Sequence, residues 1–288
     1  MIFVAFIALF LILWGVMYAT LPVMQRGGAM LTRRLAQLST WSPRIGRWSG
    51  YALTRWERFR AYFPIALIVI AGGTITALAG DQFIELAEMV HSKSPLLQKV
   101  DTRIHDWAVS HRTPSSTRFF VLMTNAGGPI GMAALAVIVA VALLIRRRYR
   151  WLIYLLVTAG GGALLNTELK RAFARARPDV AEMLRLANGY SFPSGHAMGS
   201  TVTLGALSYM AFRVLNTWRT RAAALALAIT LIVAIAFSRV YLGVHWVSDV
   251  AAGVAAGTIW VATMTVAYET FRRISMLRGM RAAADKRG

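Results

Sequence analysis

Three short groups of residues have types and spacings suited to handling a phosphate. The first is Lys170 and, seven residues on, Arg177-Pro178. Were this stretch helical, the two cations would lie on one face, two turns apart, and Pro178 would mark its end. Lysine offers a point charge and arginine a planar fork of donors that matches phosphate oxygens. Taken alone, the pair reads more readily as a solvated basic face.

The second group is Pro193-Ser194-Gly195-His196. A helix opening here would present unpaired N–H groups and a favourable dipole to an anion. Gly195 lets the backbone come close, Ser194 can donate a hydroxyl, and His196 can move a proton near neutral pH. The plainer alternative is that Ser194 caps the helix and His196 faces headgroups. The third group is Ser238-Arg239, His245 and Asp249. The i, i+4 spacing puts His245 and Asp249 on one helical face, where a carboxylate can hold the imidazole in one tautomer and stabilise the cation formed on attack. Arg239 adds another fork for phosphate. Together, two histidines, a carboxylate and three cations suit transfer through a phosphohistidine. One imidazole attacks, the other protonates the leaving oxygen, and the cations spread the charge.

The elements that must position these groups are long apolar helices. The chain has 288 residues, 57% hydrophobic and only 15% charged, against the roughly 25% charged expected of a soluble domain. Seven stretches are long enough to approach a bilayer crossing. They are Ile2–Met24, Phe63–Gly80, Phe119–Ile145, Trp151–Leu165, Ala197–Val214, Ala222–Phe237 and Val250–Tyr268. The predicted fold is all-α: a polytopic membrane bundle of about seven helices, divided as an N-terminal anchor and basic segment (1–62), a membrane domain (63–270) and a basic tail (271–288).

The formal charge of +20 would suggest nucleic acid in a soluble protein. Here its placement argues for topology instead. Arginines 26, 33, 34, 44, 47, 55, 58 and 60 stand against the single acid Glu57. Further clusters lie at Arg146–Arg150, at Arg213, Arg219 and Arg221, and from Arg272 to Arg287. With seven alternating spans and the N-terminus outside, all four fall on one face, which the positive-inside rule makes cytoplasmic. All three phosphate-handling groups then share the opposite, outer face. The first span has no basic residues before it and reads as a retained anchor. Trp41, Trp48 and Trp56 suit either an interfacial helix or a solvated basic loop with interfacial aromatics. The chain has no cysteine, which excludes thiol chemistry.

Lys170-x6-Arg177-Pro178, Pro193-Ser194-Gly195-His196 and Ser238-Arg239-x5-His245-x3-Asp249 together resemble the three-part signature of the type-2 phosphatidic-acid phosphatase superfamily. The resemblance implies His245 as nucleophile, Asp249 as its orienter and His196 as general acid, later base. It implies that Lys170, Arg177 and Arg239 hold the phosphate with Ser194 and the Gly195 N–H, and that no metal or other cofactor is needed. The substrate expected is a lipid phosphate or diphosphate presented at the outer face of a bacterial inner membrane. Undecaprenyl diphosphate, phosphatidylglycerol phosphate, phosphatidic acid and lipid A phosphates all qualify. Transfer of the phosphate to another lipid, and a non-catalytic lipid transporter, are the alternatives; nucleic acid is not an expected partner.

Several other residues read as structural. His91, His105 and His111 are expected in an outer loop over 81–118, which could form an amphipathic cover through Phe83, Ile84, Leu86 and Trp107. Thr124, Asn125 and Gly127-Gly128 are expected to serve helix packing. Arg171 and Arg175 are expected to contact headgroups.

Overall fold

The computed structural model describes residues 43–178, 183–184 and 189–285, with backbone only for 43–61, 64 and 280–285. The anchor expected at Ile2–Met24, Trp41 and the tail beyond Asp285 lie outside the described residues. Eight helices are described: α1 (Pro43–His91), α2 (Pro95–Ser110), α3 (Pro114–Ala126), α4 (Pro129–Ile145), α5 (Tyr149–Phe173), α6 (Gly195–Val214), α7 (Trp218–Tyr241) and α8 (Val247–Asp285). No strand occurs among the described residues. The protein is all-α, as the hydropathy pattern predicts.

Among the described residues, four segments are long and apolar enough to cross a bilayer: Ile65–His91, Tyr149–Phe173, Trp218–Tyr241 and Val247–Gly279. The expected third span, Phe119–Ile145, is not one helix. It is the pair α3 and α4, bent by 51° at Gly127-Gly128, and counts as a fifth crossing if the pair is one span. Gly128 and Pro129 explain the break, since Pro129 has no N–H to continue α3 and instead opens α4 at its first position. α6 is 20 residues long, enough for about 30 Å, but falls outside the candidate spans. Its buried Ser200 and Thr201 hydroxyls are satisfied by returning to the Ala197 carbonyl at 3.2 and 2.8 Å. The backbone is helical through Trp48 and Trp56, which sets aside the loop reading for that stretch.

The chain divides into two compact units, Gly72–Tyr268 and a second made of Met1–Ala71 with Glu269–Gly288. In the second, Glu269 is buried and accepts from Arg272 at 2.5 and 2.9 Å and from Arg273 at 2.9 Å. The larger unit holds all three chemical groups.

Small residues govern its packing. A Cβ at Gly253 would stand 2.6 Å from the Ser194 carbonyl oxygen. One at Gly257 would stand 3.0 Å from the Met198 carbonyl oxygen. This small-x3-small stripe lets α8 lie against the backbone of α6, the close approach such pairs permit in membranes. Gly161 and Gly162 leave room for Trp260, whose indole N–H donates to the Thr158 carbonyl at 2.8 Å. Met198, Val202 and Ala256 are buried around the same contact. The start of α5 packs on the end of α6, and the end of α5 meets the start of α6, so the two run in opposite directions, and α7 returns after a short turn. Arg146–Arg150, Arg213, Arg219 and Arg221 therefore gather at one end of them, and Lys170, His196 and Arg239 at the other.

The expected outer loop is largely helical. α2 is amphipathic, with Leu97, Asp101, His105 and Ala108 buried and Leu96, Val100 and Trp107 exposed. His91 ends α1 and His111 stacks on Trp107 at 4.8 Å. His105 lies in α2, buried against Trp246 at 5.5 Å, so it belongs to the packed interior and not to a loop.

Candidate active site

The residues around His245 come from three chain segments. α5 delivers Lys170 in its last turn and then stops at Phe173, where Ala174 turns into the left-handed region (φ 44°). The single helix expected to carry both Lys170 and Arg177 is therefore absent. The chain continues irregularly through Arg175 to Arg177. The two cations still converge. Lys170 Nζ donates to the Tyr190 carbonyl at 2.6 Å, and Arg177 Nη2 donates to the same oxygen at 3.3 Å. Arg177 is pinned further by bonds to the Gly189 and Val244 carbonyls at 3.0 and 2.8 Å.

His245 precedes α8, and Asp249 lies in that helix's first turn. The turn at the helix start, and not the helix face, brings them together. The Trp246 N–H donates to Asp249 Oδ2 at 2.9 Å, much as a capping residue reaches back. His245 Nδ1 lies 3.4 Å from the same Oδ2 and 3.3 Å from Ser191 Oγ. The Ser191 hydroxyl also donates to Oδ2. These acceptors assign the N–H to Nδ1 and leave the Nε2 lone pair facing outward, where Arg177 Nη1 donates to it at 3.1 Å. Burial, with the charges of Arg177 and Arg239 adding to it and Asp249 opposing, pushes the His245 pKa down to about 4. The shift favours the neutral imidazole, the form with a lone pair free to attack an electrophile. Burial also lowers the Arg177 pKa, although the Asp249 charge opposes it.

Ser194 precedes α6 as its N-cap residue but its hydroxyl caps nothing. Its N–H donates to the Asp249 carbonyl at 2.9 Å, and its Oγ is fully buried with no hydrogen-bond partner in the protein. That hydroxyl and the unpaired N–H groups of the first turn of α6, beginning at Gly195, are donors available to an anion. Gly195 sits against Asn166, whose Oδ1 would stand 2.9 Å from an added Cβ. His196 follows, its Nε2 close to the α3–α4 break, 3.2 Å from where a Cβ on Gly128 would stand. Lys170, Arg177, Arg239 and His245 lie near enough to His196 to interact with it electrostatically.

Arg239, at the end of α7, is buried and its Nη1 donates to Thr124 Oγ1. Thr124 therefore does more than pack helices; it holds one of the cations. Arg175 also departs from expectation. It donates to Asp249 Oδ1 and to Asp101 Oδ2, each at 2.7 Å, and to Ser248 Oγ at 2.7 Å. Taking an ion out of water costs several kcal/mol, so a guanidinium placed here is matched by carboxylates and not by headgroups. Arg171 remains exposed, paired with Glu168 at 2.8 Å. Ser191 and Asp101 stand in none of the three spaced groups, and each meets its partner more than 50 residues away. Among the described residues, no three His, Asp or Glu side chains converge as a metal site would require.

Residues 150–273, which contain all three groups, match the family described as the PAP2 superfamily. The chain belongs to that superfamily, and is an integral membrane phosphatase of its class. It is 30% identical to phosphatidylglycerophosphatase B of Bacillus subtilis over 178 residues, 62% of this chain and 86% of that one. A crystal structure of a transmembrane PAP2-type phosphatidylglycerolphosphate phosphatase from Bacillus subtilis superposes with a TM-score of 0.61 at 29% identity, over 66% of this chain and 94% of the other. Decaprenylphosphoryl-5-phosphoribose phosphatase of Mycobacterium tuberculosis is 39% identical over 135 residues, 44% of this chain and 66% of that protein.

Proposed function

We propose that this protein hydrolyses the terminal phosphate of a membrane lipid through a phosphohistidine on His245, at the outer face of a bacterial inner membrane. The observation that carries the reading is the orientation of one imidazole. Nδ1 is held by Asp249 and Ser191 while the Nε2 lone pair faces the Lys170, Arg177, Arg239 and His196 cluster. Arriving phosphate takes over the Arg177 donor that now reaches Nε2. Once the negative charge of the bound phosphate offsets the surrounding cations and lets His196 take up a proton, His245 Nε2 attacks phosphorus as the bond to the leaving oxygen breaks, and His196 gives that oxygen its proton. Asp249 stabilises the imidazolium formed, and the three cations hold the equatorial oxygens. His196, now neutral, takes a proton from water as the water attacks phosphorus. Phosphate leaves and His245 is restored. Each step uses protein groups alone, so no metal is invoked.

The relatives' names favour a phospholipid or polyprenyl-linked phosphate, with phosphatidylglycerol phosphate first and undecaprenyl diphosphate as a further candidate. The basic ends of α5, α6 and α7 lie opposite the site, which supports an outward-facing active centre. The test is phosphate release by detergent-purified full chain with EDTA present, from phosphatidylglycerol phosphate, phosphatidic acid, undecaprenyl diphosphate and a soluble ester. We expect one lipid to be preferred, activity to vanish in His245→Ala, and radiolabelled phosphate to be trapped on wild-type protein in a base-stable, acid-labile form. Equal turnover by the variant sinks the nucleophile assignment.

A further inference from the structure

We infer that Asp101, on the amphipathic helix α2, is a positioning residue for the nucleophile, acting through Arg175. The inference rests on the catalytic reading of His245 and Asp249 given above. Asp101 lies in none of the three sequence groups and outside the residues matched to the superfamily.

Its geometry is that of a built contact. Asp101 is 1% exposed, on the inward face of a helix whose opposite side exposes Leu96, Val100 and Trp107. Oδ1 accepts the Ser248 N–H at 3.0 Å, at the first turn of α8. Oδ2 accepts the Ser248 hydroxyl at 2.6 Å and Arg175 Nη2 at 2.7 Å. Arg175 Nη1 reaches Asp249 Oδ1 at 2.7 Å. Its guanidinium also lies 5.9 Å from the Trp246 ring, between the two members of the His245–Asp249 pair in the chain. One planar fork thus bridges two buried carboxylates and fixes the unshared oxygen of the one that orients His245.

The charge balance gives this arrangement a consequence for catalysis. Arg175 facing Asp249 alone would neutralise the carboxylate on which the nascent imidazolium depends. Asp101 supplies a second negative charge to the same guanidinium, so the three buried groups carry a net charge of −1 behind His245. Without Asp101 the cation is shared with nothing, and it draws Asp249 away from Nδ1. The effect falls on the chemical step. The groups that bind phosphate are not among these contacts, so affinity for substrate is unaltered. A residue that merely caps α8 would instead alter stability and leave turnover per folded molecule unchanged.

The experiment uses detergent-purified full chain, EDTA and dioctanoyl phosphatidic acid, with kcat and KM measured alongside melting temperature. Asp101→Asn keeps the shape and removes the charge. We expect kcat to fall roughly 10- to 100-fold with KM within about twofold, the loss typical of a displaced reacting group. Arg175→Gln should fall similarly, and the double variant no further than Arg175→Gln alone, because the two residues act as one unit. Should Asp101→Asn fail to fold, Arg175→Lys decides: its single ammonium keeps the charge but cannot span both carboxylates, and the same kcat loss is expected. Wild-type kcat in folded Asp101→Asn or Arg175→Lys, or additive losses in the double variant, overturns the inference. His245→Ala runs in parallel. If it stays active, the catalytic reading fails; if it is dead while Asp101→Asn matches wild type, only the role of Asp101 fails.

Discussion

Gly253→Ala is the sharpest test of how the helices set the site. The added Cβ would meet the Ser194 carbonyl oxygen at 2.6 Å and the Ala197 Cβ at 3.0 Å. The first of these partners is backbone, so no rotamer change relieves the contact. Reaching an ordinary separation of about 3.4 Å requires α6 and α8 to part by roughly 0.8 Å at this point. The Ser194 N–H is bonded to the Asp249 carbonyl at 2.9 Å across the same contact, so that bond is stretched or lost. Ser194 and His196 travel with α6, whereas Asp249 travels with α8. A misplacement near 1 Å between reacting groups costs on the order of a hundredfold in rate. We therefore expect kcat to fall by about 30- to 100-fold for one methyl group placed one turn along α8 from Asp249. The control is Gly199→Ala, on α6 itself, where a Cβ has open space within 4 Å; it should keep wild-type kcat. The assay is phosphate release from dioctanoyl phosphatidic acid in detergent, normalised to folded protein by size-exclusion chromatography. Wild-type kcat in Gly253→Ala, or an equal loss in Gly199→Ala, refutes the argument that this contact sets the site.

Asp249→Asn should lower kcat about a hundredfold with little change in KM. A unit pair at the 3.4 Å separation from His245 Nδ1 is worth roughly 5 kcal/mol at an effective dielectric of 20, and partial charge development with Arg175 alongside reduces this to about 3 kcal/mol, or two decades of rate. Initial rates across substrate concentration check it. The pH dependence of stability follows from His245, whose pKa falls from the ordinary 6.5 to about 4 through burial. Between those values the unfolded chain binds the extra proton, so stability from this group is complete above pH 6.5 and declines as pH falls towards 4. Melting curves in detergent should drop by a few degrees across that window, and His245→Gln should flatten the decline.

The candidate site residues could be picked out in the sequence because they stand at short spacings. Ser194-Gly195-His196 and His245-x3-Asp249 each lie within one turn or a tight corner, and the structure brings both groups to one space with Lys170, Arg177 and Arg239. The apolar runs likewise marked four of the helices long and apolar enough to cross a bilayer, because such a helix must be continuously apolar. Two helix ends escaped the pattern. The spacing of Lys170 and Arg177 would suit one helix through Arg177, but Ala174 takes a left-handed conformation and ends α5. The apolar pattern also predicted one helix over Phe119–Ile145, because Gly127, Gly128 and Pro129 are apolar enough to hide a break inside a hydrophobic run.

What the spacings did not reveal is the shell that holds the chemical groups still. Thr124 meets Arg239 from 115 residues away, and Asp101 meets Ser248 from 147. Neither contact leaves a periodic trace, because a hydroxyl or carboxylate on the inward face of a helix interrupts an apolar pattern without saying what it will meet. Composition does carry a weaker signal. Asp101 lies on the inward face of an amphipathic helix, between Leu97 and the buried His105 and Ala108, where an unpaired charge would be costly. A carboxylate in such a position implies a buried cation elsewhere in the chain, and the arginines near the C-terminal end of α5 are the natural candidates. Arg175 and Arg171 cannot be separated by that argument. The left-handed turn at Ala174 separates them, leaving Arg171 on the exposed helix with Glu168 and sending Arg175 inward to both carboxylates.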